Sequence, residues 1–408
     1  MHILLIHQAF ASVNEPGGTR HHEIARKLVA RGHQVTVITG QINYLTGKRL
    51  RPMDGRDDKT DEMGVRIIKS FTYRGYHKSF PQRILSYLSF MISSLLMGFS
   101  IREVDIVWGT SPPLFQAITA WLLARMKGAG FLLEVRDLWP SFAVALGILR
   151  NPILIRLSEI MERFLYRHAD NIVVNSPGFR EHVIDHGGQS VETVPNAVDA
   201  AMFAQETDVG PYRREHQLEG KFVITYAGAH GVSNDLDVLI DCAHALRENS
   251  KICFVLVGDG KEKANLVQKA KSLELTNVRF QPPRAKEAMY EVLAAADVCV
   301  ALLKPIDAFK TTYPNKVFDY MAAGKAILLA IDGVIREVVE EANCGIFVQP
   351  GDKAAMVEGI LLLEQDRSSV IAMGKAGRRY VREKFDRAAQ VEAMEVALNK
   401  IVDQSSRK

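Results

Sequence analysis

Lys316 and Asp319 carry the clearest chemistry in this chain. They lie in Thr311-Thr312-Tyr313-Pro314-Asn315-Lys316-Val317-Phe318-Asp319-Tyr320-Met321-Ala322-Ala323-Gly324-Lys325. The spacing of Val317, Phe318, Met321 and Ala322 predicts a loop opening into a short helix. Pro314 suits the first turn of such a helix, where its missing N–H is not needed, and Gly324 is placed to end it. The helix start offers free N–H groups and the positive end of the dipole, which suits phosphate. Lys316 opposes that dipole, an arrangement that an intervening anion would relieve. Asp319, one turn on and on the same side, is placed to accept from ribose hydroxyls. The competing explanation is a core helix with two solvated charges.

Asp137 is the second candidate. Phe131-Leu132-Leu133-Glu134-Val135-Arg136-Asp137-Leu138-Trp139-Pro140 reads as a strand with Glu134, Arg136 and Asp137 crowded at its C-terminal end. Open α/β sheets hold ligands at that end, and charges packed there need partners. Either an internal Arg–carboxylate clamp or a sugar-facing Asp137 accounts for them. Asn175 closes another strand, Ile172-Val173-Val174-Asn175-Ser176, and is expected to face the sugar with Arg136 and Arg20. Gly17-Gly18-Thr19-Arg20 puts bare backbone at a helix start, a second anion seat. It is not a dinucleotide fingerprint. There is no tight GxGxxG, and the second strand ends in Thr39-Gly40 rather than an acid. Asp235-Leu236-Asp237 has the letters of a metal-binding DxD. It is expected in a helix's first turn, where acids complement the dipole, so no metal is assigned to it.

These residues must be positioned by a repeating scaffold. Ile3-Leu4-Leu5-Ile6, a helix from about Thr19 to Ala30, and Val35-Thr36-Val37-Ile38-Thr39 form a βαβ unit. Strands alternate with helices to about residue 195, residues 200–220 are polar and linker-like, and the pattern restarts at Phe222. At 408 residues the chain exceeds one ordinary core. The expected fold is α/β, with two Rossmann-like domains facing across a cleft. Residues 1–199 are assigned to the first domain and 200–375 to the second. The helices of 376–408 are expected to cross back to the first.

Composition bounds the partners. Hydrophobic content of 47% and charge of 24% are those of a soluble globular protein. Cys242, Cys253, Cys299 and Cys344 form no CxxC pair, which favours reduced, buried thiols in a cytoplasmic protein. No signal peptide is expected before the first strand. Residues 1–195 hold 23 Lys and Arg against 17 Asp and Glu, whereas the remainder holds 28 against 30. A basic first half suits anionic lipid or a phosphorylated acceptor. No dense basic run or RNA-binding signature favours nucleic acid. Residues 84–101 lack charge, and Ser86, Ser89, Ser93 and Ser100 fall near one helical face. The stretch reads as a core helix or as a helix lying in a membrane surface; its serines argue against a span. Lys69, Arg74, Lys78 and Arg83, with Arg49, Arg51 and Arg56, are placed to attract anionic lipid or to form a solvated surface.

Pro195-Asn196-Ala197-Val198-Asp199, Gly258-Asp259-Gly260 and the Pro314–Lys325 stretch together resemble the GT-B-fold retaining glycosyltransferases of family 4. Gly17-Gly18-Thr19-Arg20 and Arg136-Asp137-Leu138-Trp139-Pro140 narrow the resemblance to bacterial O-antigen and capsule enzymes, including L-fucosamine (FucNAc) transferases. The likeness spans nearly the whole chain. It implies a nucleotide-sugar donor, usually UDP- or GDP-linked, on the second domain and an acceptor on the first. Asp319 falls where the family's ribose-binding carboxylate stands, usually a Glu. The family's first motif acid should fall near Lys310 or Thr311, and neither is acidic, so the N–H groups of Thr311 and Thr312 are expected to meet the sugar. The usual Arg–Lys pair on the diphosphate is also replaced, by Val232, Ser233, Asn234 and Asp235. Lys316 is expected to meet that charge, with Arg20 a weaker candidate. His230 and Gly231 match the loop near the diphosphate, and Gln281 and Pro282 the loop near the base. Gly258 belongs to the donor side with Gly17 and Gly18, and Asp137 and Lys316 are the catalytic candidates. The resemblance implies retention without a covalent enzyme intermediate, no metal and no cofactor beyond the donor. The activity then expected is transfer of an N-acetylated sugar from a UDP-sugar to a lipid-linked saccharide, by an enzyme peripheral to the inner face of the cell membrane. A nucleotide-sugar epimerase or hydrolase using His7, His230 and Asp137, or a non-catalytic UDP-binding partner subunit, would share the scaffold.

Overall fold

The computed structural model describes the chain apart from residues 45–46, 48–57, 62, 76–79, 204–207 and 406–408. Arg49, Arg51, Arg56 and Lys78, named above for lipid, lie outside the described residues. Two units form. Met1–Val13, Gly17–Pro195 and Ala388–Lys408 make the first; Asn14–Pro16 and Asn196–Arg387 make the second.

In the first unit the strands are β1 (His2–Ile6), β2 (Gln34–Gly40), β3 (Asp58–Thr60), β4 (Arg66–Ser70), β5 (Ile106–Ser111), β6 (Gly130–Val135), β7 (Asn171–Val174) and β8 (Val191–Thr193). They lie in the order β3-β4-β2-β1-β5-β6-β7-β8. All neighbours are parallel except the antiparallel edge pair β3 and β4. Ile3, Leu5, Val35, Val37, Trp108 and Leu132 face one side, where helix Arg20–Ala30 brings Ile24 and Leu28. The last helix, Arg387–Ser405, brings Val391, Met394 and Leu398 to the same core.

The second unit holds β9 (Phe222–Ala227), β10 (Ile252–Val257), β11 (Val278–Gln281), β12 (Val298–Leu302), β13 (Ala326–Ala330) and β14 (Gly345–Phe347). Their order is β11-β10-β9-β12-β13-β14, all parallel. These strands are almost continuously apolar because both faces are covered. Val223, Val255 and Leu329 pack on one side, Ile224, Phe254 and Leu328 on the other. All four cysteines are buried free thiols. The expected segment 376–408 divides. Helix Arg367–Lys384 stays in the second unit, where Arg378 Nε donates to Ala322 O at 2.9 Å, and the chain enters the first unit only at Ala388.

Two local expectations change. Asp235 is not in a helix. It takes a left-handed turn (φ 48°) between the 3-10 turn Val232–Asn234 and helix Asp237–Ala245, and Asp237 pairs with Lys269 at 3.1 Å. The uncharged stretch forms helix Phe80–Ser100, but with its serine face turned inward. Ser86 and Ser94 are buried, while Leu85, Leu88, Ile92, Leu96 and Phe99 are exposed. The serines act as polar glue. Ser93 Oγ donates to Phe71 O at 2.7 Å, Ser89 Oγ accepts from Tyr73 N at 2.9 Å, and Gln8 Nε2 donates to Ser86 Oγ at 3.3 Å.

Candidate functional site

The C-terminal edge of the second sheet gathers most of the donor-side residues. Helix Asn315–Ala322 begins one residue later than expected, with Pro314 as its cap and no side-chain cap. It ends at Gly324 in the left-handed region (φ 69°), where Lys325 N donates to Tyr320 O at 3.0 Å. Lys316 leans back over the end of β9. Its Nζ donates to Tyr226 Oη at 2.7 Å and to Asn234 Oδ1 at 2.9 Å. Neither partner is charged, and no carboxylate lies within ion-pair distance of this ammonium among the described residues. Crowding by protein pulls its pKa down to about 7. Gly228 is the residue that leaves it room, since a Cβ there would come 3.3 Å from Lys316 Nζ.

The glycine turns around it are sterically required. A Cβ on Gly258 (φ 147°) would fall 1.9 Å from Gly228 O. His230 is fully buried and its backbone is fixed: its N–H donates to Asp259 O at 2.8 Å and its carbonyl accepts from Glu262 N at 2.9 Å. Both ring nitrogens lack partners. Burial first, then Lys263 and Lys316, drive its pKa down to about 4, so the ring is neutral. Gly231 caps the following 3-10 turn. Lys263 Nζ closes the neighbouring strand ends, donating to Gly258 O at 2.6 Å and Gln281 O at 3.1 Å. Gln281 is buried; Tyr212 Oη donates to its Oε1 at 2.6 Å, and its Nε2 has no partner.

Asp319 is not an isolated acceptor. Its Oδ1 lies 2.6 Å from Lys286 Nζ. Thr312 offers its hydroxyl, not its amide, because its N–H donates to Phe309 O at 3.1 Å while its buried Oγ1 is unpaired. Thr311 ends the 3-10 turn Asp307–Thr311, and its Oγ1 donates to Ala308 O at 2.7 Å. Sequence reasoning missed Tyr226, Asn234, Lys263 and Lys286. Tyr226 had a signal, since it stands two residues before the glycine that ends β9.

In the first unit the expected clamp exists, but with a different arginine. Glu134 Oε1 accepts from Arg20 Nε at 2.8 Å, and its Oε2 lies 2.7 Å from His21 Nε2 and 3.1 Å from Trp108 Nε1. Arg20 also donates to the carbonyls of Pro195 and Val194 at 2.8 Å each. It is a buried structural tie between strand ends, and this corrects its expected sugar- and phosphate-facing role. Burial opposes the charge on Glu134, yet His21 and Arg20 hold its pKa far below the usual carboxylate range. Gly17 and Gly18 precede helix Arg20–Ala30, and Gly18 N donates to Tyr44 Oη at 3.2 Å.

Arg136 and Asp137 follow β6, and Asn175 follows β7. Arg136 donates to Pro112 O at 2.5 Å, but its Nε is buried without a partner, as is Asn175 Oδ1. Asp137 has no hydrogen bond among the described residues; packing pushes its pKa up to about 6, with Arg136 opposing. His7, close by, is buried and held neutral by desolvation and by His21 and Arg136. Unspent donors and acceptors at strand C-termini suit a polyhydroxylated ligand. Elsewhere in this unit Glu162, His182 and His186 stand close enough to share an ion. Glu162 is already held by Tyr166 Oη at 3.0 Å and His182 Nε2 at 2.9 Å.

Comparison with known proteins matches both halves. The glycosyl transferase 4-like domain family matches residues 17–197, and the glycosyl transferases group 1 family matches residues 209–380. The chain is therefore a glycosyltransferase, built from these two domain types. It is 26% identical over 351 residues to the putative colanic acid biosynthesis glycosyl transferase WcaI of Escherichia coli (strain K12), covering 83% of this chain and 86% of that one. Its fold is that of the sucrose-phosphate synthase of Thermosynechococcus elongatus, with a TM-score of 0.80 at 15% identity, over 99% of this chain and 100% of the other. Anabaena HepE, solved with UDP-glucose, aligns with a TM-score of 0.72 at 16% identity, over 98% and 99%.

Proposed function

We propose that this glycosyltransferase moves a sugar from a UDP-sugar, with retention, onto a lipid-linked saccharide during assembly of a bacterial surface polysaccharide. The O-antigen and capsule branch of the resemblance favours an N-acetylated amino sugar such as N-acetyl-L-fucosamine. The E. coli relative's name places that protein in colanic acid biosynthesis, and the HepE complex holds UDP-glucose on the same fold. The enzyme works at the inner face of the cell membrane, associates with it peripherally, and uses no metal.

The observation that carries the reading is the ammonium of Lys316, held by two neutral oxygens with no carboxylate in ion-pair reach among the described residues. Desolvating a cation without an anionic partner is costly. A diphosphate supplies the missing charge. During transfer the bond from the anomeric carbon to the phosphate oxygen breaks, and negative charge builds on the leaving UDP. Lys316 and the helix start behind it stabilise that charge most in the transition state. The acceptor oxygen bonds to the same face of the anomeric carbon and gives its proton to a donor phosphate oxygen. Asp319 takes the ribose hydroxyls, and Asp137 with Arg136 and Asn175 orients the sugars.

The test is a melting-temperature screen of wild type and Lys316→Ala against UDP, GDP and UDP-sugars, followed by NMR of the product made on a lipid-linked acceptor. Stabilisation by UDP that is lost in the variant, with an axial or equatorial linkage matching the donor, supports the reading. Stabilisation by no nucleotide, or inversion at the anomeric carbon, overturns it.

A further inference from the structure

Helix Phe80–Ser100 is built inside out for a water-facing helix. Ser86 and Ser94 are buried in the protein, and Leu85, Leu88, Ile92, Leu96 and Phe99 form one continuous exposed stripe, with Ile92 61% and Leu96 69% exposed. Spacings of three, four, four and three residues keep these side chains on a single face. The helix contains no acid at all. Phe71, 59% exposed, sits beside the stripe, tied there by Ser93.

A second helix repeats the arrangement. Pro152–His168 begins with Ile153, Leu154, Leu157 and Ile160 exposed, Ile153 at 68%. Helix Leu114–Lys127 lies between the two. It meets the first through Tyr87 stacked on Phe115 at 5.8 Å, and the second through Trp121 against Phe164 at 4.7 Å. Met126 is exposed on this middle helix. The three helices carry six Lys and Arg against two Glu, of which Glu162 is buried. Apolar stripes of this extent are rare on a monomer's free surface. A soluble acidic partner would match the arginines but not two separated leucine-rich stripes. A bilayer surface rich in anionic headgroups matches both, through acyl-chain burial and Arg attraction.

We propose that helices Phe80–Ser100 and Pro152–His168 form one docking face for an anionic lipid bilayer, with both stripes seated at the headgroup–acyl boundary. This deepens the peripheral-membrane part of the function proposed above, and rests on it, by adding a second helix to the footprint.

The experiment is co-sedimentation of the full chain with phosphatidylcholine vesicles, with and without phosphatidylglycerol. Wild type is compared with Ile92→Glu/Leu96→Glu and with Leu157→Glu/Ile160→Glu. Tryptophan fluorescence and UDP-induced stabilisation check that each variant is folded. Wild type binds the anionic vesicles, less so in high salt, and each pair of substitutions weakens binding at least about tenfold. Wild-type binding by Leu157→Glu/Ile160→Glu overturns the two-helix face but leaves peripheral association standing. No vesicle binding by wild type overturns both, while transfer to a soluble acceptor analogue tests the glycosyl-transfer reading separately. A concentration-dependent dimer, broken by the same substitutions without vesicle binding, assigns the face to a second copy and overturns the proposal.

Discussion

Lys286 Nζ lies 2.6 Å from Asp319 Oδ1, so the carboxylate proposed to hold the ribose is already held by a lysine from the loop after β11. The pair fixes the carboxylate's rotamer. Asp319→Asn should weaken UDP binding about tenfold while binding 2′-deoxy-UDP and UDP more nearly alike. Lys286→Met should weaken UDP binding less. Calorimetric titration of the four combinations measures the coupling. Equal losses for both nucleotides would remove the ribose role.

The pKa of Lys316 predicts a pH signature. Its folded value, about 7, lies below the ordinary lysine value. The folded ligand-free protein therefore binds fewer protons than the unfolded chain between about pH 7 and 10. Stability contributed by this site rises with pH through that window. Lys316→Met should abolish that component of the melting-temperature profile. Diphosphate restores the charge, so UDP binding above pH 7 should take up a proton, seen by calorimetry in buffers of different ionisation enthalpy. Lys316→Ala should also lower kcat at least tenfold, about 1.4 kcal/mol of barrier.

Glu134 ties Arg20, His21 and Trp108 together inside the first unit. Truncation to alanine takes the carboxylate away from a buried guanidinium and should destabilise that unit by about 3–5 kcal/mol. Trp108, Trp121 and Trp139 are the three tryptophans of the chain and all lie in this unit, so urea unfolding followed by tryptophan fluorescence reads it directly. The stabilisation is present above the ordinary glutamate pKa and is lost as pH falls toward the depressed folded value. UDP binding should be unchanged.

Asp137 should act on the acceptor side. Its pKa of about 6 places an acid limb near that pH in the transfer rate. Asp137→Asn should remove the limb and lower kcat/KM for the acceptor, with UDP affinity intact. A limb that survives in the variant belongs to another group.

Residue pattern alone was enough for the alternation of strands and helices, the restart at Phe222, the short helix after Pro314 and its glycine stop. These follow from local rules of period, proline and glycine geometry. Lys316 was conspicuous in the sequence too, because a cation in a helix's first turn contradicts the dipole. Its partners were not, because Tyr226 and Asn234 lie 90 and 82 residues away in the chain and meet it only when β9 and helix Asn315–Ala322 share one sheet edge. The same holds for the clamp. Glu134 and Arg136 are neighbours in sequence, but β6 ends at Val135 and Arg136, beyond it, turns to Pro112 O, so Glu134 is met instead by Arg20, 114 residues away. The orientation of helix Phe80–Ser100 was also decided by packing. Its period shows two faces, and only the strand ends at Phe71 and Tyr73, which accept and donate to its serines, determine which face turns inward. The sequence by itself determined which segments are helix or strand and which residues are chemically unusual. The tertiary structure decided which of those residues are paired and which remain free for a ligand, because pairing depends on distances between strand ends that no local pattern encodes.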